Sequence, residues 1–359
     1  MYNLQPNFGF FDSIFIKMKD LKNFNLLPYN TFGIEAYCKR FVEFDTVEEL
    51  SVFVKTLTQE DSPLLLLGGG SNLLLTGDYP GTVLHSAIKG IGVVKTDAKC
   101  GDVFVRCGSG EVFDDVVAYC VEHGYYGMEN LSLIPGEVGA SAVQNIGAYG
   151  AEAKDVIQMV EAIEIDTGKK VCFSNADCKY SYRQSKFKNE WRDKYVITYV
   201  TYRLSLTFQP NIDYGNIRER LRGYTEKVTA SILRNAIIDI RRAKLPDPKV
   251  QGNGGSFFMN PIIEEEQFKK LKAKFPDLKY YEVASPDKLS YKIPAGWMIE
   301  QCGWKGKNVG PAGVHDKQAL VLVNLGGAKG KDIIHLCEMI QRDVKTKFGV
   351  DIYPEVNIK

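Results

Sequence analysis

The stretch Leu64-Leu65-Leu66-Leu67-Gly68-Gly69-Gly70-Ser71-Asn72 decides how the rest of the chain is read. Four leucines make an apolar run of strand length, and three glycines with two small polar residues stop it abruptly. Consecutive backbone N–H groups without side chains in the way can form a nest around a diphosphate; a tight structural turn is the alternative. The run is not a dinucleotide fingerprint, because Leu73 stands where the third glycine belongs. Nor is it a nucleophile elbow, which needs glycine two residues after Ser71.

Upstream of this stretch, Thr46-x-x-Glu49 reads as a capping box before Leu50, Phe53, Val54 and Leu57 on one helical face. Downstream, Thr82–Leu84 and Val103–Cys107 read as strands. Phe113, Val116, Val117, Cys120 and Val121 read as a helix closed by Gly124. Strands and helices thus alternate in an α/β pattern to about residue 125. Strands take over from Val156: a hairpin over 160–165 and 171–173 turning at Asp166-Thr167-Gly168, then a run over 195–204. Loops are expected at 180–191 and 208–223. A helix follows over 227–242, with Val228, Ile232, Ile237 and Ile240 inside. Lys244-Leu245-Pro246-Asp247-Pro248-Lys249 is a stiff connector at a domain boundary. Beyond it come a Gly-rich loop at 252–255, a helix near 263–274, a strand over 319–325, a helix over 333–344 ended by Gly349, and a last strand over 351–358.

Of 359 residues, 33 are glycine and only 14 proline, so the glycines serve folded turns and close backbone approaches, not a flexible linker. With 45 Lys+Arg against 44 Asp+Glu the net charge is +1 and no basic stripe marks a nucleic-acid binder. No apolar stretch reaches the ~18 residues of a membrane span. The 8 cysteines show no CxxC pair and no zinc spacing, so no metal is expected. Cys120 and Cys337, on apolar helical faces, read as buried thiols of a cytoplasmic protein.

Other motifs offer chemistry. Gly and Ala recur through Ile134-Pro135-Gly136-Glu137-Val138-Gly139-Ala140-Ser141 to Asn145-Ile146-Gly147-Ala148-Tyr149-Gly150, flat enough for a planar ligand or for close strand–helix packing. Gly252-Asn253-Gly254-Gly255-Ser256-Phe257-Phe258-Met259-Asn260-Pro261 presents Ser256 either to a ligand or to its own turn. Arg183, in Tyr180-Ser181-Tyr182-Arg183, needs an anionic or aromatic partner. Glu355, in Pro354-Glu355-Val356, is alone in its strand and open to a solvent-facing reading. Gly326-Gly327-Ala328-Lys329-Gly330-Lys331-Asp332 fails the spacing of a phosphate loop.

Together these stretches, with Asn30-Thr31-Phe32-Gly33, Lys244-Leu245-Pro246-Asp247-Pro248 and Ala295-Gly296-Trp297, resemble the UDP-N-acetylenolpyruvoylglucosamine reductases, in order and from about residue 25 to the end. The resemblance implies an α+β fold with a two-lobed FAD-binding domain of the vanillyl-alcohol-oxidase type and a smaller α+β substrate domain. It divides the chain into an extension over 1–24, open to disorder, an FAD domain over 25–243 (lobes about 25–90 and 91–243, with a tyrosine loop at 208–223), a substrate domain over 244–350, and a C-terminal strand over 351–359. It implies non-covalent FAD, since no histidine stands near the Gly68 loop in sequence. It also implies NADPH as reductant, UDP-N-acetylglucosamine enolpyruvate as substrate, and a monomer of the type I subgroup. By the same resemblance Arg183, Ser256 and Glu355 are catalytic. Gly68, Gly69, Gly70, Ser71, Asn72, Gly136, Ser141, Asn145, Gly147, Ala148, Tyr149 and Arg241 hold the cofactor, while Tyr214, Lys244, Asn260 and Gln301 hold the substrate.

Overall fold

The computed structural model describes residues 18–222, 224, 227–285 and 288–359. The first part of the chain supplies β1 (Lys19–Asn25), β2 (Tyr37–Phe44), α1 (Val47–Phe53), β3 (Leu64–Leu67), β4 (Leu73–Leu74) and β5 (Tyr79–Ser86). Four of these strands form a sheet in the order β1-β2-β5-β3. β2 and β3 run parallel to β5, and β1 is antiparallel to β2. The capping box of α1 forms between Thr46 and Glu49 as its spacing predicts.

Of the extension expected over 1–24, residues 1–17 lie outside the described residues, and the remainder is not a tail. Lys19–Asn25 pairs in register with β2, and Phe24 stacks on Phe41 at 4.3 Å between ring centroids. The segment hides its strand character because an edge strand exposed on one side carries charges there, which blunts the apolar alternation.

A second sheet is wholly antiparallel. Its strands are β6 (Ile91–Asp97), β7 (Asp102–Gly108), and, after α2 (Phe113–Glu122), α3 (Val138–Gln144) and the hairpin β8 (Gly147–Ala148) with β9 (Ala151–Glu152), β10 (Ile157–Glu164), β11 (Lys170–Ser174) and β12 (Tyr195–Ser205). The order is β11-β10-β12-β7-β6. The α/β pattern expected through residue 125 therefore holds for the first sheet and stops at Ile91. One face of this sheet buries Val103, Val105, Val160, Val200 and Tyr202 under α2 and α3. The 208–223 segment contains a short helix, α4 (Ile217–Leu221), before α5 (Ala230–Lys244), which starts on a Thr229 cap. An Arg234–Asp114 ion pair at 2.6 Å joins α5 to α2.

The last part contributes β13 (Asn253–Ser256), β14 (Ile262–Glu264), α6 (Glu265–Lys274), β15 (Tyr281–Ser285), β16 (Lys288–Lys292), α7 (Ala295–Gln301), β17 (Asn308–Val309), β18 (Ala312–Val314), β19 (Val321–Asn324), α8 (Gly330–Phe348) and β20 (Asn357–Ile358). Two small sheets, β13-β19-β18-β17 and β14-β16-β15, are built from antiparallel pairs. Their core takes Ile333, Leu336, Ile340 and Val344 from α8 and reaches Phe32, Ile34 and Leu74 of the first part. The whole is an α+β fold. Among the described residues no helix is long and apolar enough to cross a membrane.

Two expectations change here. The Gly-rich stretch at 252–255 is mostly strand, irregular between Asn253 and Ser256. A Cβ at Gly252 would stand 2.2 Å from the Phe32 carbonyl oxygen, and one at Gly254 2.6 Å from the Phe32 ring. The glycines let β13 lie against Phe32. The strand expected over 351–358 shrinks to Asn357–Ile358, which pairs in parallel with β4. The last strand thus forms a small two-stranded sheet with β4, just after the glycine turn that follows β3.

Candidate active site

The leucine run becomes β3, and the glycines after it turn the backbone into the body of the protein. Gly70 has φ +61°, and a Cβ there would meet the Tyr29 carbonyl oxygen at 1.9 Å. No N–H of Gly69, Gly70, Ser71 or Asn72 is hydrogen-bonded within the described residues. Free, convergent donors around one left-handed residue make a concavity suited to an anion. A Cβ on Gly69 would lie 3.3 Å from Cα of Gly136, and Ser71 Oγ donates to the Pro135 carbonyl at 3.1 Å. The cradle is therefore shared between the two Gly-rich stretches, whose unpaired N–H groups and bare glycine backbone suit a diphosphate and a flat ring. The residues present fit FAD.

Segment 29–33 is the joint of the site. Thr31 Oγ1 donates to the Asn253 carbonyl at 2.6 Å, and Asn253 N–H returns a bond to the Thr31 carbonyl at 2.9 Å. Thr31 N–H also donates to the Gly70 carbonyl at 3.2 Å. One short segment thus sets the distance between the nest and the strand carrying Ser256.

Arg183, Glu355 and the Ser256 strand meet on the far side of this joint. Arg183 has φ +56°, donates Nη2–H to the Gly147 carbonyl at 2.8 Å, and places Nε 2.8 Å from Glu355 Oε1. That Nε–H is not aimed at an acceptor, so the contact is electrostatic and a buried donor is left unmet. The two side chains are only 18% and 13% exposed, against the solvent-facing reading of Glu355. Glu355 N–H donates to the Phe257 carbonyl at 2.7 Å, beside Ser256. Asn72 Nδ2 reaches the Glu355 carbonyl at 3.4 Å, linking the nest to the same segment. Gly255, with φ +69°, turns Ser256 outward; its hydroxyl is exposed and has no partner among the described residues.

The other expected residues divide into two groups. Gly147 lies against Arg183, in the β8–β9 hairpin with Ala148, and Tyr214 packs on Gly150, where a Cβ would lie 3.2 Å from its own. Tyr214 stacks toward Tyr281 at 6.4 Å. Arg241 donates from Nε to the Leu133 carbonyl at 3.2 Å; burial pulls its pKa down while Tyr149 and Asp114 support the charge. Asn260 Oδ1 accepts from the Ala295 N–H at 2.9 Å, at the start of α7, and its side chain holds the Tyr182 hydroxyl. Lys244 and Gln301 are exposed and touch none of this cluster among the described residues.

Ser141 and Asn145 do not face the cradle. The Ser141 hydroxyl is buried in α3, donating to the Val138 carbonyl at 2.7 Å and lying 3.1 Å from the Tyr202 hydroxyl. Asn145 is the left-handed residue that ends α3. It donates to Glu152 at 3.0 Å and the Ser181 carbonyl at 2.8 Å, and accepts from Lys154 N–H at 3.0 Å. Their polar atoms are spent on scaffold, because a run of small residues must anchor its helix somewhere.

Sequence reasoning missed Lys188, Lys292 and His85. Lys188 Nζ donates to the Arg183 carbonyl at 3.3 Å, and burial, opposed by the Glu355 charge, lowers its pKa. Lys292 Nζ lies over the rings of Tyr182 at 4.9 Å and Tyr281 at 5.6 Å. His85, remote in sequence, stands behind the nest with both ring nitrogens against carboxylates. No sequence motif marks any of the three.

A two-sheet unit carrying an anion nest and Arg183, facing Glu355 and an exposed serine from the last part of the chain, is the arrangement of an FAD-dependent oxidoreductase. Residues 38–173 match a family profile described as "FAD binding domain", and 247–359 match the C-terminal domain of UDP-N-acetylenolpyruvoylglucosamine reductase. The reductase of Bacteroides fragilis (strain YCH46) is 54% identical over 94% of this chain and 99% of its own length. That of Flavobacterium johnsoniae is 45% identical over 95% and 100%. A crystal structure of the Thermus caldophilus reductase is 22% identical, covers 96% of this chain and 99% of its own, and superposes with a TM-score of 0.63, which shows the shared fold. The chain belongs to the UDP-N-acetylenolpyruvoylglucosamine reductase family. Its members are FAD-dependent and reduce the enolpyruvyl nucleotide sugar with NADPH for peptidoglycan synthesis.

Proposed function

We propose that Arg183, Glu355 and Ser256 carry the chemical step of this reduction. FAD held by the Gly68–Gly70 nest would supply, from NADPH, the hydride that adds to the terminal vinyl carbon of the enolpyruvyl ether. That addition pushes negative charge into the neighbouring carboxylate, giving an enolate-like species. The planar donors of Arg183 match that carboxylate, and its unmet Nε–H is one of them. Glu355, held against Arg183, lies at the same species and completes its surroundings. Ser256 Oγ gives its proton to the carbon beside the carboxylate and regains one from solvent. Charge that develops only in the transition state is what these groups stabilise.

The observation that carries this reading is the 2.8 Å approach of Arg183 to Glu355, whose own N–H is tied to the residue after Ser256. Asn260 and Tyr214, with the exposed Lys244 and Gln301, would bind the UDP diphosphate and sugar, Tyr214 closing over them as a lid that excludes water. A charged nucleotide sugar and NADPH as reactants support a cytoplasmic enzyme.

Following flavin absorbance tests it. In Glu355→Gln, bleaching by NADPH is expected at the wild-type rate while reoxidation by substrate slows by about 10²–10³-fold. An equal loss in both half-reactions removes Glu355 from the substrate step.

A further inference from the structure

His85 is 8% exposed and held at both ring nitrogens: Nδ1 lies 2.9 Å from Glu43 Oε2, and Nε2 3.2 Å from Glu137 Oε1. Ionised carboxylates only accept, so satisfying both contacts takes a ring carrying two protons. Glu43 is supplied further by the Tyr29 hydroxyl at 3.0 Å and by the Lys19 ammonium, which keep it ionised. Glu137 faces the cofactor cradle: a Cβ on Gly68 would stand 3.4 Å from its Oε2. An acidic side chain beside a diphosphate nest is repulsive unless its charge is balanced. Tyr29 stands edge-on to the His85 ring at 5.0 Å, and Phe41 lies along its other side at 6.1 Å. Among the described residues the charged neighbours of the ring are Glu43 from β2 and Glu137 from the turn before α3.

We infer that His85 is a cofactor-positioning residue: held as an imidazolium between Glu43 and Glu137, it neutralises the carboxylate beside the Gly68–Gly70 nest and so sets the affinity for the FAD diphosphate. The inference rests on that nest being the diphosphate site. Burial alone would drive the ring neutral, and the two carboxylates override it, so its pKa is raised. As pH rises through that raised value the ring loses its charge, Glu137 is left uncompensated, and FAD binding weakens. The fully engaged ring is also unavailable to bond a flavin covalently.

The test uses the flavin-stripped full chain and reads FAD binding by quenching of flavin fluorescence. In wild type the dissociation constant is expected to rise about tenfold between about pH 6 and about pH 9. His85→Gln weakens binding about tenfold at the lower pH and flattens the profile. Adding Glu137→Gln to His85→Gln restores most of the lost affinity, because the carboxylate that needed balancing is gone. NMR of the His85 ring shows both nitrogens protonated near neutral pH and its titration moving upward when FAD is added. A flat wild-type profile, a double variant no tighter than His85→Gln, or a neutral ring at neutral pH overturns the inference. A wild-type chain that binds FAD with the expected pH slope while Gly69→Val leaves affinity unchanged overturns instead the nest on which it rests.

Discussion

Arg183, proposed to meet the substrate carboxylate, has much of its setting outside its own side chain. Its backbone is left-handed at φ +56°, a conformation that costs a non-glycine residue about 1 kcal/mol or more. The Lys188 ammonium on its carbonyl and the Gly147 carbonyl on its guanidinium hold it there. Lys188→Met is therefore expected to lower kcat about tenfold and to shift its pH profile, with flavin reduction by NADPH unchanged; Lys188→Arg should recover part of the loss. Kinetics of both half-reactions across pH check this, and an unchanged substrate step refutes it. Arg183, Glu355 and Ser256 were expected only through the family resemblance carried by their motifs, since each residue alone also fits a structural role. Lys188 and His85 could not, since what marks them is burial against particular carbonyls and carboxylates, which no local pattern encodes.

At the scale of elements, periodicity located α1, α2, α5, α6 and α8 and the strands β3, β5, β7, β10, β11, β12 and β19, and it failed for the short strands and where packing overrides it. β1 looked like a tail because its exposed side is charged, and β13 looked like a loop because its glycines exist to clear Phe32. Ser141 and Asn145 were legible as polar residues in a Gly- and Ala-rich run, but whether such a residue faces ligand or scaffold depends on which side of α3 it leaves. The Arg234–Asp114 pair joining α5 to α2 is partly buried, and the guanidinium and the Leu133 N–H hold the Asp114 carboxyl below its usual range against burial. A lowered folded-state pKa means this stabilisation is present above the unfolded carboxylate value and is lost as pH falls through the folded one. Asp114→Asn should cost about 2–4 kcal/mol at neutral pH and progressively less under acid, measured by denaturant unfolding. An equal cost at all pH values contradicts that account. Burial likewise pushes the Cys120 and Cys337 thiols up to about 12, so both should resist alkylation in the native protein while exposed Cys100 and Cys172 react, as mass mapping would read out.

Across the whole molecule, the site exists because the two ends of the chain return to one place. Segment 29–33 bonds to Asn253, and Asn357–Ile358 pairs with β4, so the nest, the serine strand and Glu355 are fixed to one another by backbone. Deleting residues 357–359 should leave FAD binding within about threefold while lowering the substrate half-reaction about 10²-fold, because the segment positioning Glu355 loses its anchor. The Glu43–His85–Glu137 network also spans separate parts of the chain. With the His85 pKa raised from 6.5, its stabilisation is complete below that value and lost as pH rises through the folded one, so thermal stability of the flavin-free chain should decline on the alkaline side, less so in His85→Gln. The measurement that bears most directly on the account is stopped-flow absorbance of Ser256→Ala. Flavin reduction by NADPH is predicted at the wild-type rate, with reoxidation by the enolpyruvyl nucleotide sugar slowed by about 10³-fold or more. Reoxidation at the wild-type rate, or the same loss in both half-reactions, would contradict Ser256 as the proton donor.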